Sequence, residues 1–439
     1  MSRSIPRRVI AAATALAVIA TLGACATGGA ASNPIRVGWS GDIPPLDPAA
    51  SDSVASFAFL TQIYPSLLVV EAEQLEPVPE IAESAEWTAE GVYTVVLKPG
   101  LEFANGNDLT TSDVKFSLER QLALQSEDGA WRRLANLDSI DIVDDTTIEF
   151  RIGAAIDTGF PFVLAGPAGL VLDEEAFFAD ELTPDEDVIE AQPFAGPFVL
   201  ESGGGDQFDL VPFIEFAGAP LAASSLDLRA GDGDDLARQL SEGSIDVLTG
   251  RLAPESVEAL AGSAQVDLAR AASGRVRMLA FDLSHMPFGP RTETPNADQA
   301  AAVRVAISEI IDREALADSI GGNWVEPAYG YIADGVPGAS DVFTDRHGDG
   351  EGGPDLEQAA AVLAAQKIET PVELSIHIAL DQMGDPGSAE VAGLAEQLED
   401  SGLFTVTIVE TDADELGAAL VAGEVQAVFT SVLPVTGDP

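Results

Sequence analysis

An α/β fold is what this sequence predicts, and three observations carry the prediction. From residue 232 onward, segments of strand character alternate with segments of helical periodicity, the pattern of helices packed on parallel or mixed sheets. The chain of 439 residues is long enough for two or three domains with large cores, and no repeat of fixed period divides it. Hydrophobic residues make up 46% of it, which keeps so acidic a chain out of the disordered class.

The elements follow in order. IRVGW (35–39) alternates and carries β-branched residues, so it reads as a strand. Pro44, Pro45 and Pro48 then deny any helix until SVASFAFLTQIYPSLL (53–68), which reads as helical. VYTVVLKPG (92–100) is a strand closed by a Pro-Gly turn. In LTTSDVKFSLERQLAL, the residues Thr111, Ser112 and Asp113 are cap candidates, and Val114, Leu118 and Leu122 line one helical face. DSIDIV and TTIEFRI form a hairpin through an Asp-Asp turn. Beyond residue 232, DDLARQLSEG, DQAAAVRVAISEIID, DLEQAAAVLAAQ, SAEVAGLAEQLEDSG and DELGAALVAG read as helices. SIDVLTG, RVRMLAFDL, VELSIHIAL, FTVTIVE and VQAVFTSVL read as the strands between them.

The N-terminus reads as an export signal. Arg3, Arg7 and Arg8 precede an apolar run from Val9 to Leu22, too short to span a bilayer comfortably, and Gly23 and Ala24 lead into Cys25. Leu-Gly-Ala-Cys resembles a bacterial lipobox, in which cleavage before the cysteine leaves its thiol to carry lipid. Cys25 is the single cysteine, so no internal disulfide is possible. The small residues that follow make a flexible spacer. The expectation is a lipoprotein on the extracytoplasmic face of a bacterial membrane, with residues 1–24 as signal and 25–33 as lipidated Cys and spacer.

Removing 24 residues from 439 leaves 415, with 18 basic and 73 acidic residues and a formal charge of −55. That excludes binding to nucleic acid through a basic surface. The field either attracts cationic ligands or marks a self-repelling surface adapted to salt.

No active site is legible. There is no Walker or dinucleotide glycine loop, and ESGGGDQ (201–207) reads as a hairpin turn. A nucleophile elbow is missing too. His285, His347 and His377 lack ligand spacing, so no metal or cofactor is expected. DRHGDGEGGPDLE (345–357) places Asp345, His347, Asp349 and Gly350 at calcium-loop positions, but its twelfth position is Leu356 where a bidentate Glu is required, which favours an acidic solvent loop.

Five ordered blocks resemble the peptide/nickel-type solute-binding proteins of ABC importers, family 5. The first holds Leu46-Asp47-Pro48, Tyr64 with Leu67, and Pro79 with Ile81-Ala82-Glu83-Ser84. The second, the most diagnostic, holds Phe103, Gly106, Leu109, Thr110, Asp113, Val114 and Arg120. AGPFVL (195–200), LSEGSIDV (240–247) and the helix with Arg304, Ala306, Asp312 and Arg313 complete the series.

The resemblance implies a type II periplasmic-binding-protein-like fold of cluster C, with two lobes and an additional inserted domain. By analogy, residues 34–64 and 194–278 form domain I, 65–193 the inserted domain II, and 279–439 domain III. It also implies a non-enzymatic, monomeric receptor that closes on a peptide or related solute by hinge motion and presents it to a membrane permease. An α/β hydrolase or a non-binding remnant is the alternative. Candidate ligand contacts are Ser40 and Asp42 after the first strand, with Trp39, Trp324, Tyr329 and Tyr331 as aromatic walls. Two crossover strands should line the cleft, the first carrying Asp282. In the second, peptide-binding relatives carry a Trp and an Asp that takes the ligand ammonium. Those positions here are Val432 and Val435, so Asp282 or Asp42 would have to supply the counter-charge. Family members continue beyond an Asp-Pro pair equivalent to Asp438-Pro439, so domain III is expected to be incomplete.

Overall fold

The computed structural model describes residues 34–432 except 72–75, 156, 220–224, 251, 270–273, 321–324, 335 and 337–338. The signal and spacer with Cys25, as well as Trp324, Val435 and the Asp438-Pro439 pair, lie outside the described residues. The described residues divide into two compact units, one up to residue 272 and one from 273 onward.

The first unit holds two main sheets. β1 (Ile35–Ser40) buries Val37 and Trp39, as its alternation requires. The short helix α1 (Val54–Leu60) is capped by Ser53, whose hydroxyl accepts from the Ser56 N–H. It ends well before the helical reading of 53–68 would have it. The reason lies in Pro65 and in the pairing that replaces the helix. The Gln62 carbonyl accepts from the Phe198 N–H, and the Ile63 carbonyl from the N–H groups of Ala195 and Gly196.

The minor strands β2 (Leu68–Val69) and β3 (Val78–Pro79) lead to β4 (Ala82–Ala89) and β5 (Val92–Leu97). The helix α2 (Thr111–Leu124) follows, then the hairpin β6 (Leu137–Ile142) and β7 (Thr147–Ile152). These strands form an antiparallel sheet of order β4-β5-β7-β6. Val95, Ile148 and Phe150 share its core with Val114 and Leu118 of α2.

The cap of α2 sits one residue earlier than the first candidate. Thr110 caps, and Asp113 reaches back to the Thr110 N–H at 2.8 Å, a capping box. The buried Asp113 also accepts from the Glu174 N–H at 3.1 Å, and burial pushes its carboxyl upward.

After α3 (Phe160–Leu164) and α4 (Asp185–Ala191), the chain enters the hairpin β8 (Phe198–Gly204) and β9 (Gln207–Pro212). Gly203, Gly204 and Gly205 all have positive φ, so ESGGGDQ is the hairpin turn its composition predicts. β10 (Leu226–Gly231), α5 (Gly233–Ser241), β11 (Val247–Gly250) and α6 (Pro254–Ala261) complete the unit. Its second sheet has the order β11-β1-β10-β9-β8, with β1 parallel to both neighbours. Leu170, Leu172, Phe177, Val188 and Phe194 come from beyond the other sheet and pack into this core beside Phe59 and Tyr64.

One ion pair ties these layers together. Arg120, on α2, donates from its two terminal nitrogens to the two carboxylate oxygens of Asp47 at 2.9 and 2.6 Å. The side chains are 1% and 2% exposed. Four of the five guanidinium N–H groups are placed, and each carboxylate oxygen accepts twice. Arg120 also reaches the carbonyls of Phe178 and Glu181, and Asp47 accepts from the N–H groups of Ala49 and Thr183.

The second unit runs β12 (Val276–Phe281), α7 (Ala297–Ile310), α8 (Arg313–Ile320), α9 (Leu356–Ala365), β13 (Val372–Ala379), α10 (Leu380–Asp400), β14 (Phe404–Thr411), α11 (Ala413–Ala422) and β15 (Ala427–Val432). The sheet order is β12-β15-β13-β14, with β13 parallel to β14 and β15, and β12 antiparallel to β15. Leu374, Ile376, Phe404 and Phe429 pack against Val303, Ile307, Leu363, Val391 and Leu398. No helix among the described residues is long and apolar enough to cross a membrane.

Two outcomes follow from these cores. Removing one partner of a buried, hydrogen-bonded ion pair costs about 3–5 kcal/mol. Arg120→Met should therefore lose that much in urea unfolding, and Asp47→Leu/Arg120→Met should recover part of it. The second concerns His377, buried on β13 with Nδ1 lacking a hydrogen bond. Burial lowers its pKa against the opposing pull of Glu424. The unfolded chain then takes up a proton that the folded one resists. Stability should fall as pH drops through the ordinary histidine value of about 6.5. His377→Gln should show a shallower fall between pH 7 and 5 in the same unfolding assay.

Candidate functional site

In open α/β sheets, ligands are taken outside the carboxyl ends of the parallel strands. Each unit has one such edge. In the first, Ser40 of β1 stands in register with Gly231 of β10 and Gly250 of β11. Gly41 continues the ladder, its N–H donating to the Gly231 carbonyl at 3.1 Å. Gly250, at φ +111°, presses against Ser40: a Cβ there would lie 2.6 Å from the Ser40 carbonyl oxygen. The three strand ends therefore offer backbone rather than large side chains.

Asp42 follows immediately and is exposed. Its carbonyl accepts from the Trp39 indole N–H at 3.1 Å. Trp39 itself is 5% exposed and packs edge-on against Phe59, 6.2 Å between ring centroids. This corrects the expectation of an aromatic wall: the ring belongs to the core, and its polar edge fixes the backbone at Asp42.

The second unit's edge is formed by the ends of β13, β14 and β15, with the start of β12 beside them, since Val276 pairs with Val432. Val432 is 48% exposed there. Arg275 donates to the Ser431 hydroxyl at 3.0 Å, and Arg277 pairs with Glu390 of α10 at 2.8 Å. Burial raises the Glu390 carboxyl, with Arg277 acting against that rise. α10 breaks at Gly384, φ +63°, just past the end of β13. Neither arginine is recognisable from sequence as an edge residue, since an Arg-x-Arg before an apolar strand has no distinctive spacing.

Asp282 is not at this edge. It follows the last residue of β12, whose first residue pairs with Val432, so the antiparallel ladder puts the two roughly 20 Å apart. Its carboxylate accepts from the Ser284 N–H at 2.8 Å and meets His285 Nδ1 at 2.7 Å. Asp282 therefore closes a turn, and Val435, the position whose counter-charge it was expected to replace, lies outside the described residues.

Tyr329 lines a cavity of about 350 Å³ in the second unit, together with Glu314, Glu326, Asp334, Asp341 and Glu351. Behind it Arg313 lies 5.7 Å from the Tyr329 ring and 5.8 Å from Phe343, and burial lowers the guanidinium pKa. Tyr331 is 71% exposed. In the acidic loop, His347 Nδ1 meets the buried Glu309 at 3.0 Å, and Asp349 accepts from the N–H groups of Glu351 and Gly353. Among the described residues, Asp113, Asp173 and Glu175 bring a carboxylate oxygen each within 4.8 Å of one another, the first two residues being buried. Asn105 and Asn107 donate to Asp173, so that cluster is held by amides.

Residues 76–439 match the family model of bacterial extracellular solute-binding proteins, family 5. The chain belongs to this family. Among curated proteins it is 24% identical over 323 residues to the glutathione-binding protein GsiB of Shigella dysenteriae, covering 72% of this chain and 58% of that one. The chain thus spans under two thirds of the length of such relatives. Among solved structures, the ABC transporter substrate-binding protein CtaP of Listeria monocytogenes superposes with a TM-score of 0.71 at 18% identity, over 93% of this chain and 80% of that chain. The binding protein DppA of Helicobacter pylori, in complex with a peptide, gives 0.64 at 18% identity, over 93% and 79%. The periplasmic-binding-protein fold and the extracytoplasmic class of this solute-binding family member follow.

The hydrogen bond from His285 holds the Asp282 carboxyl below its ordinary range. Its stabilising contribution is therefore present above the ordinary aspartate value and disappears as pH falls through the lowered one. Asp282→Asn should cost about 1 kcal/mol in neutral-pH unfolding. Calorimetric titration should show solute affinity unchanged by the same substitution.

Proposed function

We propose that this chain is a non-catalytic receptor that binds a peptide or related small solute and delivers it to an ABC importer in the membrane. Family membership carries the reading, and two features support it. Each unit ends its parallel strands in an edge that exposes backbone or short side chains, the surface a peptide backbone can hydrogen-bond. The relatives include proteins whose names specify glutathione or bound peptide as ligand. We place the receptor at the extracytoplasmic membrane face as a monomer, held by lipid on Cys25. The permease is its partner, and Asp42, Ser40, Tyr329, Val432 and Val435 remain the candidate contacts.

Thermal unfolding with a pool of di- to tetrapeptides, glutathione included, tests the binding. A ligand at a hundred times its Kd stabilises by about 2.7 kcal/mol, so the midpoint should rise by several degrees. A midpoint unmoved by every member would contradict the reading. For the anchor, Cys25→Ser should transfer the protein from the membrane fraction to the soluble extracytoplasmic fraction, read by immunoblot. A variant that stays with the membrane would overturn lipid attachment at that residue.

A further inference from the structure

We propose that His377 is a pH-sensitive latch beneath α11: when its imidazole takes up a proton, α11 lifts from β13 while the rest of the second unit stays folded. β13 alternates Leu374, Ile376 and Ile378 into the core shared with α7, α9 and α10, so His377 points to the opposite face. α11 packs on β13 but supplies no residue to that core. α10 leads from β13 out to β14, and α11 leads back across β13 to β15. Right-handed connections then set the two helices on opposite faces of the sheet. α11 therefore covers the face that carries His377.

That cover is thin. None of the ten residues of α11 is buried, and Val421 is 92% exposed. His377 is nonetheless 6% exposed, and its Nδ1 has no hydrogen-bond partner. Its neighbours in register are Val409 of β14 and Val428 of β15, which offer a proton no acceptor. Glu373, on the same face of β13, is exposed, and Asp381 lies in the first turn of α10. Glu410 of β14 accepts from the Ser388 hydroxyl of α10 at 3.4 Å, and Asp412 caps α11 by accepting from the Glu415 N–H. Asp414 and Glu415 are exposed in the first turn of α11. Glu424, just past the C-cap, acts on His377 but does not outweigh the lowering that burial imposes on the imidazole. At that cap the ring of His285 abuts Gly423, where a Cβ would lie 2.5 Å from Nε2. A proton on His377 thus has no partner while α11 is docked, and water reaches it once that weakly held helix moves.

The test is amide hydrogen exchange of the full mature chain at pH 7 and pH 5, read by mass spectrometry and normalised to the intrinsic exchange rate at each pH. Lifting α11 returns His377 to the ordinary histidine value of about 6.5, which favours the open state by up to about thirtyfold at pH 5. Protection of residues 413–424 should fall by several-fold to that limit, while α7 keeps its protection. His377→Gln and His377→Leu, each checked by its melting curve at pH 7, should abolish the fall, and His285→Gln should retain it. Protection of α11 that is unchanged by acid, or lost in step with α7, would overturn the latch. So would a fall that survives both His377 variants or disappears in His285→Gln.

Discussion

The Asp47–Arg120 pair is the constraint on which the first unit depends. Asp47 sits in the turn that leaves β1, and Arg120 lies on the helix that covers the other sheet, so the pair joins the two sheets' supporting segments. Isolated, either charge would be intolerable at this depth. The carbonyls of Phe178 and Glu181 and the N–H groups of Ala49 and Thr183 add four hydrogen bonds to the pair, which ties in the 178–183 segment as well. Asp47 follows the end of β1 by seven residues, so the pair holds the segment that leaves the strand.

The same logic explains the diagnostic motifs. Phe103 is buried and its carbonyl accepts from the Gly106 N–H, with Gly106 at φ +91° making the turn. Thr110 and Asp113 are a capping box, and Arg120 and Asp47 are an ion pair. These residues build the scaffold. They identify the fold and are silent on the ligand, whose proposed contacts Ser40, Asp42 and Val432 stand at strand ends.

The strands and helices after residue 232 were legible because their periodicity is local and uninterrupted. The helical reading of 53–68 overran because hydrophobic period cannot show that Gln62 and Ile63 spend their carbonyls on residues 195–198. The Thr111–Asp113 cap candidates missed by one residue, since Thr110, Thr111 and Ser112 are chemically alike. Trp39 and Asp282 could be placed at the ends of strands but not in their environment. A buried indole and an exposed one have the same sequence signature, and only the antiparallel register separates Asp282 from Val432. The Arg277–Glu390 pair joins distant segments and leaves no local trace.

The most direct test of a solute receptor is native mass spectrometry of residues 26–439, purified from the expression host without added ligand. The account predicts a narrow charge-state envelope with extra mass in the range of a short peptide, lost on mild activation. A narrow envelope at the bare mass that stays bare after mixing with short peptides would contradict it.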